Sequence, residues 1–255
     1  MTTAARAEPL LAAFPKTRAP LPPEYQAIYV EQYKSNRTGE TTAASLAQRL
    51  ERWLHRQVAQ DVAAGPAKPT LELGAGTLNQ LPYEPAGAPY DVVEPFTALF
   101  EGSPLLARVR DAFADIGEVP AERRYERITS VAMMEHAGDL PLVLARAARL
   151  LAPGGVLRTA IPAEGGLLWT LGWMFTTGLE FRLRRGLDYG VIMRHEHLNT
   201  AAEIEALTRA MFETVRVRSF GLGRQFSLYR FIEARGPRLD LARDWEARFA
   251  GLPGA

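Results

Sequence analysis

The spacing of apolar residues divides the chain into two parts. Between residues 23 and 64, Leu46, Leu50 and Trp53 recur at three- and four-residue intervals, which predicts an amphipathic helical cap. Residues 1–22 are rich in Ala and Pro and predict a flexible arm. After Pro69, short apolar runs alternate with helical patterns, which is typical of a mainly parallel sheet covered on both faces.

The second part predicts an α/β fold: a doubly wound, mainly parallel seven-stranded sheet with helices on both faces and a C-terminal antiparallel strand pair. The last two strands are predicted to pair because only a short link with glycine separates them. The clearest predicted strands are 70–73, 90–94, 127–132, 156–161, 214–220 and 226–234, and the clearest predicted helices are 140–151 and 203–212.

This pattern places the main domain at residues 65–235, followed by a C-terminal tail at 236–255. Between the fifth strand and Thr200 lies a long connection, at about residues 163–199, which is rich in aromatic residues and Arg. A connection of this length inside a compact domain is usually functional, so we predict a substrate lid. The alternatives are an extra helix that packs its aromatic residues on the sheet, or a surface that meets a membrane or a partner chain.

A buried strand that runs into Gly74-Ala75-Gly76 is the strongest local signal for a ligand site. Glycine permits positive φ and lets backbone amides approach a ligand closely. The next strand ends at Glu94, just before Pro95, where a carboxylate can accept hydrogen bonds from both hydroxyls of a ribose. The alternative is a tight turn followed by a solvated carboxylate.

In these features the chain resembles the class I S-adenosylmethionine-dependent methyltransferases of small molecules. Glu72, Gly74 and Gly76 match the acidic-x-Gly-x-Gly motif of that family, and Leu78 stands where a third glycine is usual. The exit of the fourth strand and the Leu-x-Pro-Gly-Gly turn before the fifth strand match as well. The resemblance implies S-adenosylmethionine as cofactor and the following contact residues: Glu72, Gly74, Ala75, Gly76, Glu94, Pro95, Asp115 and Ile116.

The cap also carries a row of side chains four residues apart, Tyr25, Tyr29, Tyr33 and Arg37. Such a row lies on one face of a helix, where it either packs in a core or faces a ligand. In enzymes of the resembled family a comparable segment closes over the methionine end of the cofactor. The resemblance therefore implies that Arg37 pairs with the cofactor carboxylate.

Histidines are the candidate general bases, because a neutral imidazole can take a proton from a hydroxyl at physiological pH. His136 follows the fourth strand, near the position of the methyl acceptor in the resembled family, and His195 lies in the long connection. The alternative role of His136 is a hydrogen bond that orients a neighbouring group of the site. We predict no metal site, because His195 and His197 have no third ligand nearby in the sequence.

Composition narrows the function further. The absence of cysteine excludes thiol catalysis and disulfides, and a net charge of +1 argues against a nucleic-acid partner. Met133 follows the fourth strand where an Asn/Asp-Pro-Pro-aromatic motif would mark amino methylation of nucleobases. The first residues lack the apolar run of a secretory signal, so we expect a cytoplasmic protein.

The sequence thus predicts an enzyme that methylates a small molecule, most readily at a hydroxyl oxygen. The alternative is a non-catalytic protein of the same fold that binds the cofactor or a nucleoside. Arg182, Arg184 and Arg185 leave room for an anionic or lipid-like substrate, with contact to a membrane surface as a lesser alternative.

Overall fold

The computed structural model describes residues 3–26, 28 and 44–252, without the side chains of residues 3–6 and 44–50. Seven strands form one sheet. Strands β1 to β7 are Thr70–Leu73, Tyr90–Val93, Ala112–Phe113, Tyr125–Val131, Leu151–Pro162, Phe212–Leu222 and Phe226–Pro237. Helices α1 to α8 are Thr3–Leu11, Ala44–Ala59, Leu140–Leu150, Leu167–Trp173, Leu179–Arg185, Tyr189–Glu196, Ala201–Met211 and Leu239–Phe249.

The strand order is β3-β2-β1-β4-β5-β7-β6, and β7 runs antiparallel to both of its neighbours. The remaining neighbouring pairs are parallel. Every residue of β1 and β2 is buried, as expected for central strands with cover on both faces. The predicted fold class, including the C-terminal antiparallel pair, is confirmed.

Helices lie on both faces of the sheet. The main core contains buried residues of α1, α3, α7 and α8, and a smaller cluster joins Leu54 and Val58 of α2 to Ala160 of β5 and Phe231 of β7. The links from β1 to β4 differ from those of a regular doubly wound sheet, because they contain short 3₁₀ turns in place of crossover α-helices. Prolines at positions such as Pro82 and Pro85 disfavour a continuous α-helix in the first link.

Within the predicted flexible arm at residues 1–22, the structure has helix α1 at Thr3–Leu11. Helix α1 packs Ala7 and Leu11 into the main core, and Phe14 follows them. Lys16 Nζ then donates hydrogen bonds to Leu198 O at 2.9 Å and to Glu203 Oε1 at 2.7 Å. The apolar residues of this segment do recur at three- and four-residue spacing, but the surrounding Ala and Pro obscured the pattern.

In the predicted C-terminal tail at 236–255, helix α8 buries Ala242, Trp245 and Phe249 against the main cluster. Of the predicted cap at 23–64, residues 23–26 and helix α2 are helical. Most of the segment between them lies outside the described residues.

The long connection at 163–199 is helical and contains α4, a π-helical turn at Met174–Gly178, α5 and α6. Phe181 and Ile192 pack against Leu21 and Tyr25, and the Tyr25 hydroxyl accepts a hydrogen bond from Asp188 N at 2.9 Å. Its role as a substrate lid stays a prediction. Among the described residues, no helix is both long enough and apolar enough to span a bilayer.

Candidate active site

The loops that follow β1, β2, β3 and β4 meet at one edge of the sheet. Leu73, the last residue of β1, pairs with Val93 and Ser130, and Val93 pairs with Phe113. Because these strands are parallel, their carboxyl ends lie side by side. In open α/β sheets this crevice is where ligands bind.

The loop after β1 needs glycine for two separate reasons. Gly74 and Gly76 have φ values of +72° and +52°, which L residues rarely adopt. A Cβ on Gly74 would also lie 2.4 Å from Met133 Cγ, in the loop after β4. Leu78, at the position of the missing third glycine, is itself left-handed at φ +65° and fully buried. The chain therefore turns inward after the motif and does not start an α-helix there.

Glu94 connects the loops after β1 and β2. Its Oε2 accepts a hydrogen bond from Gly76 N at 2.9 Å, and its Oε1 accepts one from Phe96 N at 3.1 Å. A carboxylate offers about four lone-pair positions, so about two remain for further donors. Two free acceptor positions suit a pair of ribose hydroxyls.

Asp115 acts as a cap at the end of β3. Its Oδ1 accepts hydrogen bonds from Gly117 N at 2.7 Å and from Arg146 Nη1 at 2.9 Å, while Ile116 is buried in the main core. This cap lies beside Glu94, because Glu94 N donates to Phe113 O at 2.8 Å. Contact of Asp115 and Ile116 with adenine stays a prediction.

Glu72 lies in the interior of the sheet, where its Oε2 accepts a hydrogen bond from the Tyr90 hydroxyl at 2.7 Å. Burial raises the pKa of the Glu72 carboxyl to about 8, so it is largely protonated at neutral pH. Its predicted contact with the cofactor is not tested by this geometry.

Two histidines and a buried carboxylate converge after β4. The rings of His136 and His197 meet edge to face, with centroids 5.0 Å apart. His136 Nε2 lies 3.8 Å from Glu135 Oε1, and Glu135 is almost fully buried. Desolvation raises the pKa of Glu135 to about 7.

Asn199 explains why these groups meet although they are about 60 residues apart in the chain. Its Nδ2 donates hydrogen bonds to Met134 O at 2.8 Å and to Ala137 O at 2.7 Å. The backbone N–H groups of Leu198 and Asn199 donate to Glu135 O at 2.8 and 3.0 Å. The end of the long connection is thereby fixed to the turn that carries Glu135.

A second carboxylate and two aromatic rings extend this cluster. Glu164 Oε2 accepts hydrogen bonds from His197 Nδ1 and from Trp169 Nε1, both at 2.7 Å. The rings of Trp169 and Tyr229 meet edge to face with centroids 5.4 Å apart. No local sequence pattern marks Glu135, Glu164 or Tyr229 as site residues.

The other predicted site residues lie elsewhere. His195 is half-buried and its Nδ1 lies 2.7 Å from Ala19 O, so its ring interacts with the N-terminal segment. Arg37, proposed to bind the cofactor carboxylate, lies outside the described residues, as do Tyr29 and Tyr33. The catalytic roles of His136 and His195 and the cofactor role of Arg37 stay predictions.

Three solved structures illustrate the proteins to which this chain is similar. An O-methyltransferase family protein from Burkholderia thailandensis is 17% identical, and the match covers 74% of this chain and 57% of that one with a TM-score of 0.48. A possible histamine N-methyltransferase from Thermotoga maritima is 17% identical, with 74% and 95% covered and a TM-score of 0.48. The [4+2]-cyclase SpnF is 13% identical, with 78% and 85% covered and a TM-score of 0.51.

No curated protein matches this sequence. A family described as a methyltransferase domain matches residues 42–213, a range that contains β1 to β5, both glycines, Glu94 and the histidine cluster. The chain therefore belongs to the methyltransferase domain family of S-adenosylmethionine-dependent enzymes.

Proposed function

We propose that this protein binds S-adenosylmethionine at the carboxyl edge of β1 to β3 and transfers its methyl group to a hydroxyl oxygen of a small molecule. The observation that carries the proposal is the Glu94 carboxylate, which holds Gly76 N and Phe96 N and keeps two acceptor positions for a ribose.

The neighbouring backbone is suited to a charged nucleoside. Gly76 is left-handed, and no atom lies within 4 Å of the position of its absent Cβ, so the backbone of the loop after β1 is open to a ligand at this residue. The proposed contact set remains Glu72, Gly74, Ala75, Gly76, Glu94, Pro95, Asp115, Ile116 and Arg37.

The main contribution of the protein to this reaction is to align the acceptor oxygen, the methyl carbon and the sulfur. The S–CH₃ bond breaks with its electron pair left on sulfur, an acceptor oxygen forms the new O–CH₃ bond, and the hydroxyl proton leaves. Holding acceptor, methyl carbon and sulfur in line can lower the barrier by several kcal/mol. The loop after β4 is in a position to align the acceptor with the cofactor, because its Met133 lies against Gly74 in the loop after β1.

The groups that draw the proton from the acceptor are those after β4. His136 Nδ1 lies 2.8 Å from Glu196 O, an oxygen that only accepts, so Nδ1 carries the proton and Nε2 keeps its lone pair. His197 is oriented in the same way by Glu164. His136 is therefore supported as the first of the two predicted bases, and His195 is separated from it by its contact with Ala19 O.

The long connection supplies walls for the acceptor. Trp169 of this connection lies over His197 with ring centroids 6.4 Å apart, and Tyr229 of β7 meets Trp169 edge to face, which suits an acceptor with an apolar body. An anionic or lipid-like substrate remains part of the proposal, although Arg184 is already paired with Glu180 at 3.0 Å.

The second candidate is a protein of this fold that binds the cofactor or a nucleoside without methyl transfer. This candidate is supported by the general observation that one fold can serve many functions, and the similar solved structure described as a [4+2]-cyclase agrees with it. Function must therefore be tested on the site itself.

The test is incubation of the full chain with methyl-labelled S-adenosylmethionine and a metabolite extract from the source organism, followed by mass spectrometry. We expect a labelled small-molecule methyl ether. His136→Ala should lower its rate about 10²-fold or more while cofactor affinity changes less than about threefold. Cofactor binding with no labelled product would favour the second candidate, and label on nitrogen or carbon would refute the hydroxyl acceptor.

A further inference from the structure

Three potential metal ligands lie together at the carboxyl edge of β4. One ligand atom each from Glu135, His136 and His197 can be chosen so that all lie within 4.8 Å of one another. Ligands about 2.1 Å from an ion lie about 3.4 Å apart in a tetrahedron, so small side-chain rotations would close the set around a cation.

Both imidazoles are oriented as they are in metal sites. His136 Nδ1 is 2.8 Å from Glu196 O, and His197 Nδ1 is 2.7 Å from Glu164 Oε2. Metal-binding histidines almost always donate one ring N–H to a carboxylate or carbonyl, which fixes the tautomer and presents the other nitrogen to the ion. Each ring here presents Nε2, and His136 Nε2 faces Glu135 at 3.8 Å.

The carboxylate gives a second, independent observation. Glu135 is 1% exposed, and its Oε2 has no hydrogen-bond partner among the described residues. A buried polar oxygen without a partner is costly, and a bound cation would remove that cost. Buried carboxylates are paired or bind metals, and no Lys or Arg salt bridge to Glu135 occurs in the described part of the chain.

From these contacts we infer that Glu135, His136 and His197 bind a divalent transition-metal ion, with Glu164 and Glu196 as the groups that orient the histidines. Two imidazoles and one carboxylate suit Zn²⁺, Fe²⁺ or Co²⁺ better than Mg²⁺, which prefers oxygen ligands. Three protein ligands also leave at least one coordination position open.

This inference deepens the proposed function, and the role of the metal ion in methyl transfer rests on that function. In the proposed function the acceptor oxygen would occupy this open position, because a cation lowers the pKa of an oxygen that binds to it. The hydroxyl proton then passes to solvent, and His136 serves as a ligand in place of a free base.

The test uses untagged full-length protein, freed of metal with a chelator and titrated with Co²⁺ and with Zn²⁺ by calorimetry. The visible absorption of Co²⁺ gives a second readout that needs neither cofactor nor turnover. We expect one ion per chain. Glu135→Gln and His197→Ala should each weaken binding by more than about tenfold, and Glu164→Gln by about tenfold.

His195→Ala is the matched control, because it removes a neighbouring imidazole that lies against Ala19 O, and its metal affinity should stay within about threefold of the wild type. Circular dichroism checks that each variant is folded, and the conservative Glu135→Gln keeps the test valid if His197→Ala unfolds. The inference would be overturned if the wild type did not bind the metal stoichiometrically. It would also be overturned if the wild type, Glu135→Gln and His197→Ala bound the metal with equal affinity.

The two proposals fail separately. Methyl transfer by a protein that binds no ion would remove the metal site and leave His136 as the base. Stoichiometric metal binding that depends on Glu135 and His197, without methyl transfer to any acceptor, would keep the metal site and remove the proposed function.

Discussion

Replacement of Gly74 by alanine tests whether the loops after β1 and β4 are packed as the structure shows. Gly74 is left-handed at φ +72°, and an added Cβ would lie 2.4 Å from Met133 Cγ and 2.7 Å from Met133 Cβ. Gly154 is the matched control, because it is left-handed at φ +77° with no atom within 4 Å of its added Cβ.

The difference between the two variants isolates the steric contact. A left-handed L residue costs about 1–2 kcal/mol, and the smaller entropy of the unfolded alanine chain returns about 0.4–1 kcal/mol. Gly154→Ala should therefore destabilise the fold by about 1 kcal/mol. Gly74→Ala adds an overpacking cost of about 1–3 kcal/mol, for a total of about 2–4 kcal/mol.

Urea unfolding of the wild type and both variants measures these free energies, and calorimetry measures S-adenosylmethionine affinity. Gly74→Ala should lower the affinity as well, since either the loop after β1 or Met133 must move. Gly154 lies at the start of β5, at the opposite edge of the sheet, so its variant should bind the cofactor like the wild type. Equal destabilisation by the two variants would refute the predicted contact with Met133.

Two further changes test the interior and the N-terminal helix. The raised pKa of Glu72, about 8 against an ordinary value of 4.5, means that the folded protein holds a proton that the unfolded chain releases. The free energy of unfolding should therefore fall by about 1.4 kcal/mol per pH unit between about pH 4.5 and 8 because of this group. Urea titrations of Glu72→Gln should lack that part of the pH dependence. An unchanged pH dependence would show that Glu72 is not protonated in the folded protein. Leu11→Ala should cost about 2–5 kcal/mol in the same assay, because Leu11 is 2% exposed in the main core. A cost below about 0.5 kcal/mol, typical of a surface position, would instead favour the flexible arm.

Local patterns predict six of the seven strands, because period-two and buried runs such as 70–73 and 90–93 identify strands without reference to distant residues. Strand β3 has only two residues, too few for such a pattern. The glycine turn and the carboxylate after β2 were predictable for the same reason, since each follows its strand directly. The helices at Thr3–Leu11 and Leu239–Phe249 were missed as core elements, because their burial depends on α3 and α7, which the local sequence does not reveal.

The histidine cluster likewise depends on contacts between residues that are distant in the sequence. His195 and His197 are two residues apart, and the sequence alone predicts no metal site around this pair. The fold separates them, turning His195 to Ala19 O and bringing His197 to His136 through the hydrogen bonds of Asn199. Glu135 directly precedes His136 in the sequence, but only the tertiary structure brings His197 and Glu164 to them, so spacing along the chain does not reveal the proposed metal ligands.

The central claim is that the edge of β1 and β2 binds S-adenosylmethionine through Glu94, and calorimetric titration of the wild type and Glu94→Ala tests it most directly. We predict wild-type affinity in the micromolar range, about −7 to −9 kcal/mol. Removal of the carboxylate should weaken binding by about 1.5–3 kcal/mol, because its hydrogen bonds to the ribose and its hold on Gly76 N are both lost. Unchanged affinity in a folded Glu94→Ala protein, or no binding by the wild type, would contradict the account.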